Sequence, residues 1–210
     1  QALLRVLDGS VPLVVHVERA SDILTVLALP RDYPRLKLVL TGVSEGWMVA
    51  REIAAARVPV IAAALADLPA QFESLGATES NVGRMRAAGV QVALASTGNN
   101  GGEHNLRQYA GNLVAIARLL GHTGLAWGQA LAAITSGPAA ALGMDGEIGS
   151  LRAGRRADVV LWDGDPLELS SAPTAVWIDG RAQPMVSRQK ALRDRYLVPT
   201  EGALPKAYER

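Results

Sequence analysis

Hydrophobic and polar positions follow two alternating spacings along residues 12–120. Short, continuous apolar runs are each followed by a longer segment in which apolar residues recur every three or four positions. Such runs are typical of parallel strands that are buried on both faces, and such segments are typical of amphipathic helices. The pattern predicts consecutive βα units, with strands at Pro12–Val17, Leu36–Leu40, Pro59–Ala63 and Gln91–Ala95 and helices at Ala20–Leu29, Ser44–Arg57, Ser80–Ala88 and Asn105–Leu120.

The pattern changes after these four units. A further helix is predicted at Leu125–Leu142, with Pro138 as a kink or restart, because proline cannot donate the helical hydrogen bond. Strands at Ala157–Trp162 and Ala175–Ile178 follow, and a basic amphipathic helix is predicted at Ser187–Leu197. Periodicity alone leaves two α/β architectures open: an open doubly wound sheet and one half of an eight-stranded barrel.

Composition and charge exclude several classes of function. The 210 residues carry 21 basic and 20 acidic side chains, so the net charge gives no attraction to nucleic acid. The chain has no cysteine, which excludes disulfides, thiol nucleophiles and cysteine-held metals. It shows no membrane-length apolar stretch and no signal peptide, so we expect a cytoplasmic protein. The first residue is Gln1 and not methionine, as expected of a fragment or a processed product.

Two side chains near strand ends could carry chemistry. His16 ends the first predicted strand, and the carboxyl ends of parallel strands are where α/β proteins hold their ligands. The alternative is a histidine whose ring is satisfied by a local carbonyl, by Glu18 or by Asp22. Glu45 follows the second strand and either lies on the rim of a site or interacts with the helix dipole.

The loop Ser96–Arg107 is the most polar, glycine-rich segment of the chain. It lies between the fourth strand and a helix, where backbone N–H groups can bind anions. His104 and Arg107 are its chemically capable side chains, and the alternative is an ordinary surface loop. The chain lacks the P-loop lysine and the His-Glu-x-x-His helix, so nucleotide binding and the usual zinc-protease chemistry are not supported.

The segment after residue 125 resembles a known family. Three segments occur in the order and spacing of the C-terminal hallmark of the amidohydrolase superfamily, in the branch of imidazolonepropionase-like enzymes: Ala130–Gly143 with Thr135 and Pro138, Ile148–Glu168 with the Gly-Ser-Leu turn and Gly164-Asp-Pro166, and Val176–Arg181. The resemblance implies a metal-dependent (β/α)8 barrel with a small β-sandwich. Residues 1–143 would be its last four βα units, 144–186 strands of the sandwich, and 187–210 a C-terminal helix and tail. The other half of the barrel would lie upstream, or a second copy of the chain would take its place.

The family's site residues transfer only in part. His16 matches the fifth-strand histidine, which implies that it binds a divalent metal, with zinc the first choice. Thr41-Gly42 stands at the sixth-strand histidine, and Thr97-Gly98 stands at the eighth-strand aspartate that activates water in the family. Either the site is rebuilt around other groups, such as His104, Glu103 or Glu45, or the chemistry has been lost. Glu103 and His104 are the catalytic candidates, and Asn99 and Arg107 are the substrate-binding candidates. We therefore expect either a hydrolase of a C–N bond in a cyclic amide or similar small molecule, or a non-catalytic homologue that binds a ligand or another subunit.

Overall fold

The computed structural model describes residues 3–69, 71–96 and 105–197. Its strands are β1 (Leu13–Val17), β2 (Leu38–Gly42), β3 (Val60–Ala62), β4 (Val92–Leu94), β5 (Val159–Trp162), β6 (Pro173–Ile178) and β7 (Arg181–Ala182). Its α-helices are α1 (Leu4–Leu7), α2 (Ala20–Val26), α3 (Leu29–Asp32), α4 (Ala50–Ala56), α5 (Asn81–Ala87), α6 (Leu106–Ile116), α7 (Trp127–Ile134), α8 (Ser136–Ala141) and α9 (Arg188–Leu197). Short 3-10 turns lie at Gly46–Val49 and Phe72–Ser74.

The first four strands form one parallel sheet in the order β1-β2-β3-β4. Each strand pairs with the next strand along the sequence, and the order does not reverse within this sheet. The predicted succession of parallel βα units is therefore confirmed. Consecutive order is what a segment of a (β/α)8 barrel requires, whereas a doubly wound sheet changes direction at a switch point. Closure into a barrel stays a prediction.

The sheet has two faces of different character, because successive side chains of a strand point to opposite sides. One face packs against the helices and forms the main core. Its strand residues include Val17, Leu40, Val60 and Leu94, and its helical residues include Ile23, Ile53, Met85 and Leu113. The second face carries Val14, His16, Thr41 and Ile61, all of which are partly or largely exposed. The polar side chains of the sheet therefore lie on the second face.

Two predicted helices are interrupted. The segment Ser44–Arg57 becomes a 3-10 turn followed by α4, because its first N–H groups bind side chains: Ser44 N–H donates to Glu18 and Trp47 N–H donates to Asn81. The segment Leu125–Leu142 divides at Thr135, whose φ and ψ of −126° and −87° lie outside the helical range. The break comes one turn before Pro138, as expected where proline removes a helical donor.

The second sheet is antiparallel, in the order β5-β6-β7. Asp158 fixes its hairpin, since one carboxylate oxygen accepts hydrogen bonds from Arg156 and the other accepts the N–H of Asp179, 2.9 Å away. The Arg156 hydrogen bond and then the Asp179 N–H hold the pKa of Asp158 below its usual value of 3.8. Assembly of this sheet into a sandwich is untested. Among the described residues, no helix is both long enough and apolar enough to span a bilayer.

Candidate active site at the strand ends

His16 and Thr41 lie side by side at the carboxyl ends of β1 and β2. The two residues are partners in the parallel register, so their side chains leave the same face of the sheet. His16 Nδ1 lies 3.2 Å from Thr41 Oγ1, which is hydrogen-bond distance. The His16 side chain is 61% exposed, so a solute on this face can reach the ring.

Glu18 holds the other side of the imidazole ring. Its Oε1 lies 3.1 Å from His16 Nε2. Its Oε2 accepts hydrogen bonds from the N–H of Ser44 at 2.8 Å and from the Ser44 hydroxyl at 2.6 Å. The Glu18 side chain is only 12% exposed. Of the alternatives that the sequence offers for His16, the contact with Glu18 is the one that the structure contains.

Gly42 makes room for this pair. Its φ is +83°, in the left-handed region that glycine tolerates best. A Cβ at this position would lie 2.6 Å from Glu18 Oε1 and 2.8 Å from His16 Cε1, both far inside van der Waals contact. The absence of a side chain at Gly42 is therefore a requirement of the histidine–glutamate pair. Gly42 and Ser44 are the parts of this arrangement that the sequence does not reveal, because both are also typical of a strand-to-helix turn.

Glu45 joins three loops at the same edge of the sheet. Its Oε2 accepts the N–H of Ala20 at 3.0 Å, and its Oε1 accepts the N–H of Gly76 at 3.0 Å. Ala20 follows β1, Glu45 follows β2 and Gly76 follows β3. Trp47 adds a second link, because its indole N–H donates to the Gly76 carbonyl at 2.8 Å. Both carboxylate oxygens of Glu45 are thus used to hold the loops around the site.

We expect the substitution Glu45→Gln to lower the free energy of unfolding by about 1–3 kcal/mol, because an amide has one acceptor oxygen and must turn its NH₂ group toward one of two fixed N–H donors. Urea denaturation of the full-length protein measures this loss. The matched control is Glu52→Gln at an exposed position of α4, which we expect to change stability by no more than about 0.5 kcal/mol. Equal effects of the two substitutions would contradict the role of Glu45.

Arg107 contacts the C-terminal part of the chain. Its Nη1 donates to the carbonyl oxygens of Pro166 at 3.0 Å, Glu168 at 2.6 Å and Ser171 at 3.3 Å. Its guanidinium lies 4.6 Å from the ring centre of Trp162. These contacts join α6 to the loop between β5 and β6. The role of Arg107 in substrate binding remains a prediction. In the structure its guanidinium binds the β5–β6 loop of the same chain.

The other loop candidates lie outside the described residues: Thr97, Gly98, Asn99, Glu103 and His104. Among residues 3–69, 71–96 and 105–197, no group of three or more histidine, cysteine, aspartate or glutamate side chains could hold a metal ion. Both ring nitrogens of His16 also contact protein atoms already. The described residues by themselves therefore do not fit a divalent metal.

The fold and the site together define an α/β protein with polar chemistry at the carboxyl ends of parallel strands. Comparisons with known proteins identify the family. Residues 25–182 match the profile of the Amidohydrolase family. The chain belongs to this family, as the sequence motifs predict.

Two curated relatives and one solved structure show how far the similarity extends. Amidohydrolase tasK of Hapsidospora irregularis is 45% identical over 84 residues, which cover 37% of this chain and 9% of that protein. Imidazolonepropionase of Maricaulis maris is 39% identical over 98 residues, 46% of this chain and 23% of that protein. An amidohydrolase from Thermotoga maritima superposes with a TM-score of 0.76 at 26% identity, over 85% of this chain and 45% of that chain. The chain therefore spans less than half of each of these proteins.

Proposed function

We propose that this chain provides one side of the active site of a hydrolase that cleaves a C–N bond, in a cyclic amide or a similar small molecule. The family supports a hydrolase, and the imidazolonepropionase relative supports a small cyclic substrate. The observation that carries the proposal is His16, an exposed imidazole at the end of β1 with a carboxylate on one nitrogen and a hydroxyl beside the other.

His16 is the base in this proposal. Hydrolysis of an amide adds water across the C–N bond: the water oxygen bonds to the carbonyl carbon, and the nitrogen leaves with a proton. A base near neutral pH removes the proton from the attacking water and then returns it to the departing nitrogen, and histidine is best suited to both steps. The Thr41 hydroxyl lies beside Nδ1 of His16, at the position from which the attacking water would donate its proton to the ring. Asn99 as a substrate-binding residue and Glu103 and His104 as further catalytic candidates remain part of the proposal.

The proposed barrel is completed by chain upstream of this segment or by a second copy of the chain, since β1 and β4 each have a free edge within the described sheet. Metal dependence is a separate part of the proposal, inferred from the family resemblance. Because the described residues do not fit a divalent metal, its ligands would come from elsewhere in the complete protein. No step above depends on a metal.

The test is a hydrolysis assay of the full-length protein on a panel of cyclic amides, with hydantoin and dihydrouracil as first members, and of dipeptides. Each substrate is measured in chelator and again with added zinc or manganese, alongside the stoichiometry of bound metal. We expect one amine or carbamoyl product per ring opened for at least one panel member. Folded protein that hydrolyses no panel member under either condition would overturn the proposal and support the ligand-binding homologue.

A further inference from the structure

The geometry around His16 points to a second functional residue: we propose that Glu18 is the positioning residue that fixes the protonation pattern of the His16 ring. Glu18 would place the ring proton on Nε2 and leave the lone pair on Nδ1, on the side of Thr41. The inference deepens the proposed function, since it specifies which nitrogen of His16 accepts a proton from substrate or water.

Ser44 holds the carboxylate of Glu18 in place. Its Oε2 is held by two donors of Ser44, the backbone N–H and the hydroxyl. The position of the backbone N–H is set by the chain and cannot adapt to a different side chain. With Oε2 fixed in this way, Oε1 is directed at His16 Nε2, and the side chain is nearly buried.

The carboxylate of Glu18 determines which ring nitrogen of His16 carries the hydrogen. A carboxylate only accepts hydrogen bonds, so the nitrogen that faces it must carry a hydrogen. A neutral imidazole has one N–H, which places it on Nε2 and leaves Nδ1 as the acceptor. Thr41 then donates its hydroxyl hydrogen to Nδ1 over 3.2 Å. A histidine held by a carboxylate on one nitrogen is a common way to define which nitrogen performs the chemistry.

A histidine that donates one N–H to a carboxylate can serve as a metal ligand or as a base. A metal-bound imidazole offers a lone pair to the ion and usually donates its other N–H to a carboxylate or carbonyl. The ion also needs further ligands, and the described residues contain no group of three or more metal-binding side chains. The lone pair on Nδ1 is therefore assigned to proton transfer, in which water or substrate replaces the hydrogen bond from Thr41.

The substitution Glu18→Gln tests the proposal, because glutamine cannot satisfy both of its neighbours. The fixed N–H of Ser44 requires the amide oxygen, so the NH₂ group must face His16 Nε2. A donor at that position favours the opposite ring tautomer, with the hydrogen on Nδ1. The ¹⁵N chemical shifts of the His16 ring report the tautomer in full-length protein labelled with ¹⁵N-histidine. The signal is assigned by its loss in His16→Asn and measured above the pH at which histidine titrates.

We expect the Nε2–H tautomer in the unmodified protein, the Nδ1–H tautomer in Glu18→Gln, and the Nε2–H tautomer again in Glu18→Asp, which retains the carboxylate. The matched control Ser44→Ala retains the backbone N–H and should leave the tautomer unchanged. For hydrolysis, Glu18→Gln should lower kcat about 10–100-fold with little change in KM, and Glu18→Asp should restore part of the rate.

The Nδ1–H tautomer in the unmodified protein would overturn the inference even if Glu18→Gln did not fold. An unchanged tautomer in folded Glu18→Gln would also overturn it. Since the tautomer is read without a substrate, these results are independent of the proposed function. An inactive protein with the expected tautomers would refute the hydrolase and leave the role of Glu18 intact.

Discussion

Replacement of Arg107 by methionine should destabilise the C-terminal part of the chain by about 2–4 kcal/mol. Methionine keeps most of the apolar stem but removes the charged donor that now serves the carbonyl oxygens of Pro166, Glu168 and Ser171. A hydrogen bond to a charged group contributes about 1.5–3 kcal/mol, and the stacking on Trp162 contributes about 0.5–1 kcal/mol. The expected result is a lower free energy of unfolding in urea and faster amide exchange in β5 and β6.

The matched control for Arg107 is Arg118→Met, which changes an exposed arginine two residues beyond the end of α6. We expect it to alter stability by no more than about 0.5 kcal/mol. The two roles considered for Arg107 predict different results. If Arg107 only holds the β5–β6 loop in place, its substitution lowers stability and leaves the KM of the remaining folded protein unchanged. Unchanged stability with a raised KM would contradict this structural role and identify Arg107 as a substrate-binding residue.

The sequence predicts the parallel sheet well because its strands carry a simple signal. A continuous run such as that of β2, buried on both faces, is difficult to mistake when a helical segment follows it. The interruption of the Ser44–Arg57 helix is harder to predict. It depends on Glu18 and Asn81, which lie far from that turn in the sequence and accept hydrogen bonds from its N–H groups. Local periodicity contains no information about such partners.

The site was predictable in position and less so in composition. His16 could be selected as a site residue because α/β proteins hold their ligands at the carboxyl ends of parallel strands. Glu18 could be considered as its partner because it lies two residues further along the chain. Ser44 and Glu45 were open to ordinary interpretations as a helix cap and a dipole partner. Only the folded arrangement shows that Ser44 anchors Glu18 and that Glu45 joins three loops. Contacts across more than 20 residues of sequence define these roles.

The largest effect on activity is expected at His16. If the proposed hydrolysis is correct, the substitution His16→Asn should lower kcat/KM of the full-length protein by at least about 100-fold, because a positioned general base contributes about 10²–10⁴-fold. Asparagine can still accept a hydrogen bond from the Thr41 hydroxyl, but its amide does not take up a proton near neutral pH. The measurement is the hydrolysis rate on the best substrate of the panel. The control is His122→Asn, the same change at a histidine whose ring contacts Glu79 and the Leu120 carbonyl.

Metal titration separates the two roles considered for His16. A lost metal ligand weakens affinity, so excess zinc would recover a large part of the His16→Asn rate, and bound metal would fall with the substitution. A lost base lowers the rate at every zinc concentration and leaves the metal content unchanged, because the ligands lie elsewhere. The described residues contain no group of three or more metal-binding side chains, which favours the second outcome. Recovery by zinc would instead show that the ring gives up its contact with Thr41 to a metal ion, while a rate equal to that of His122→Asn would remove His16 from the reaction altogether.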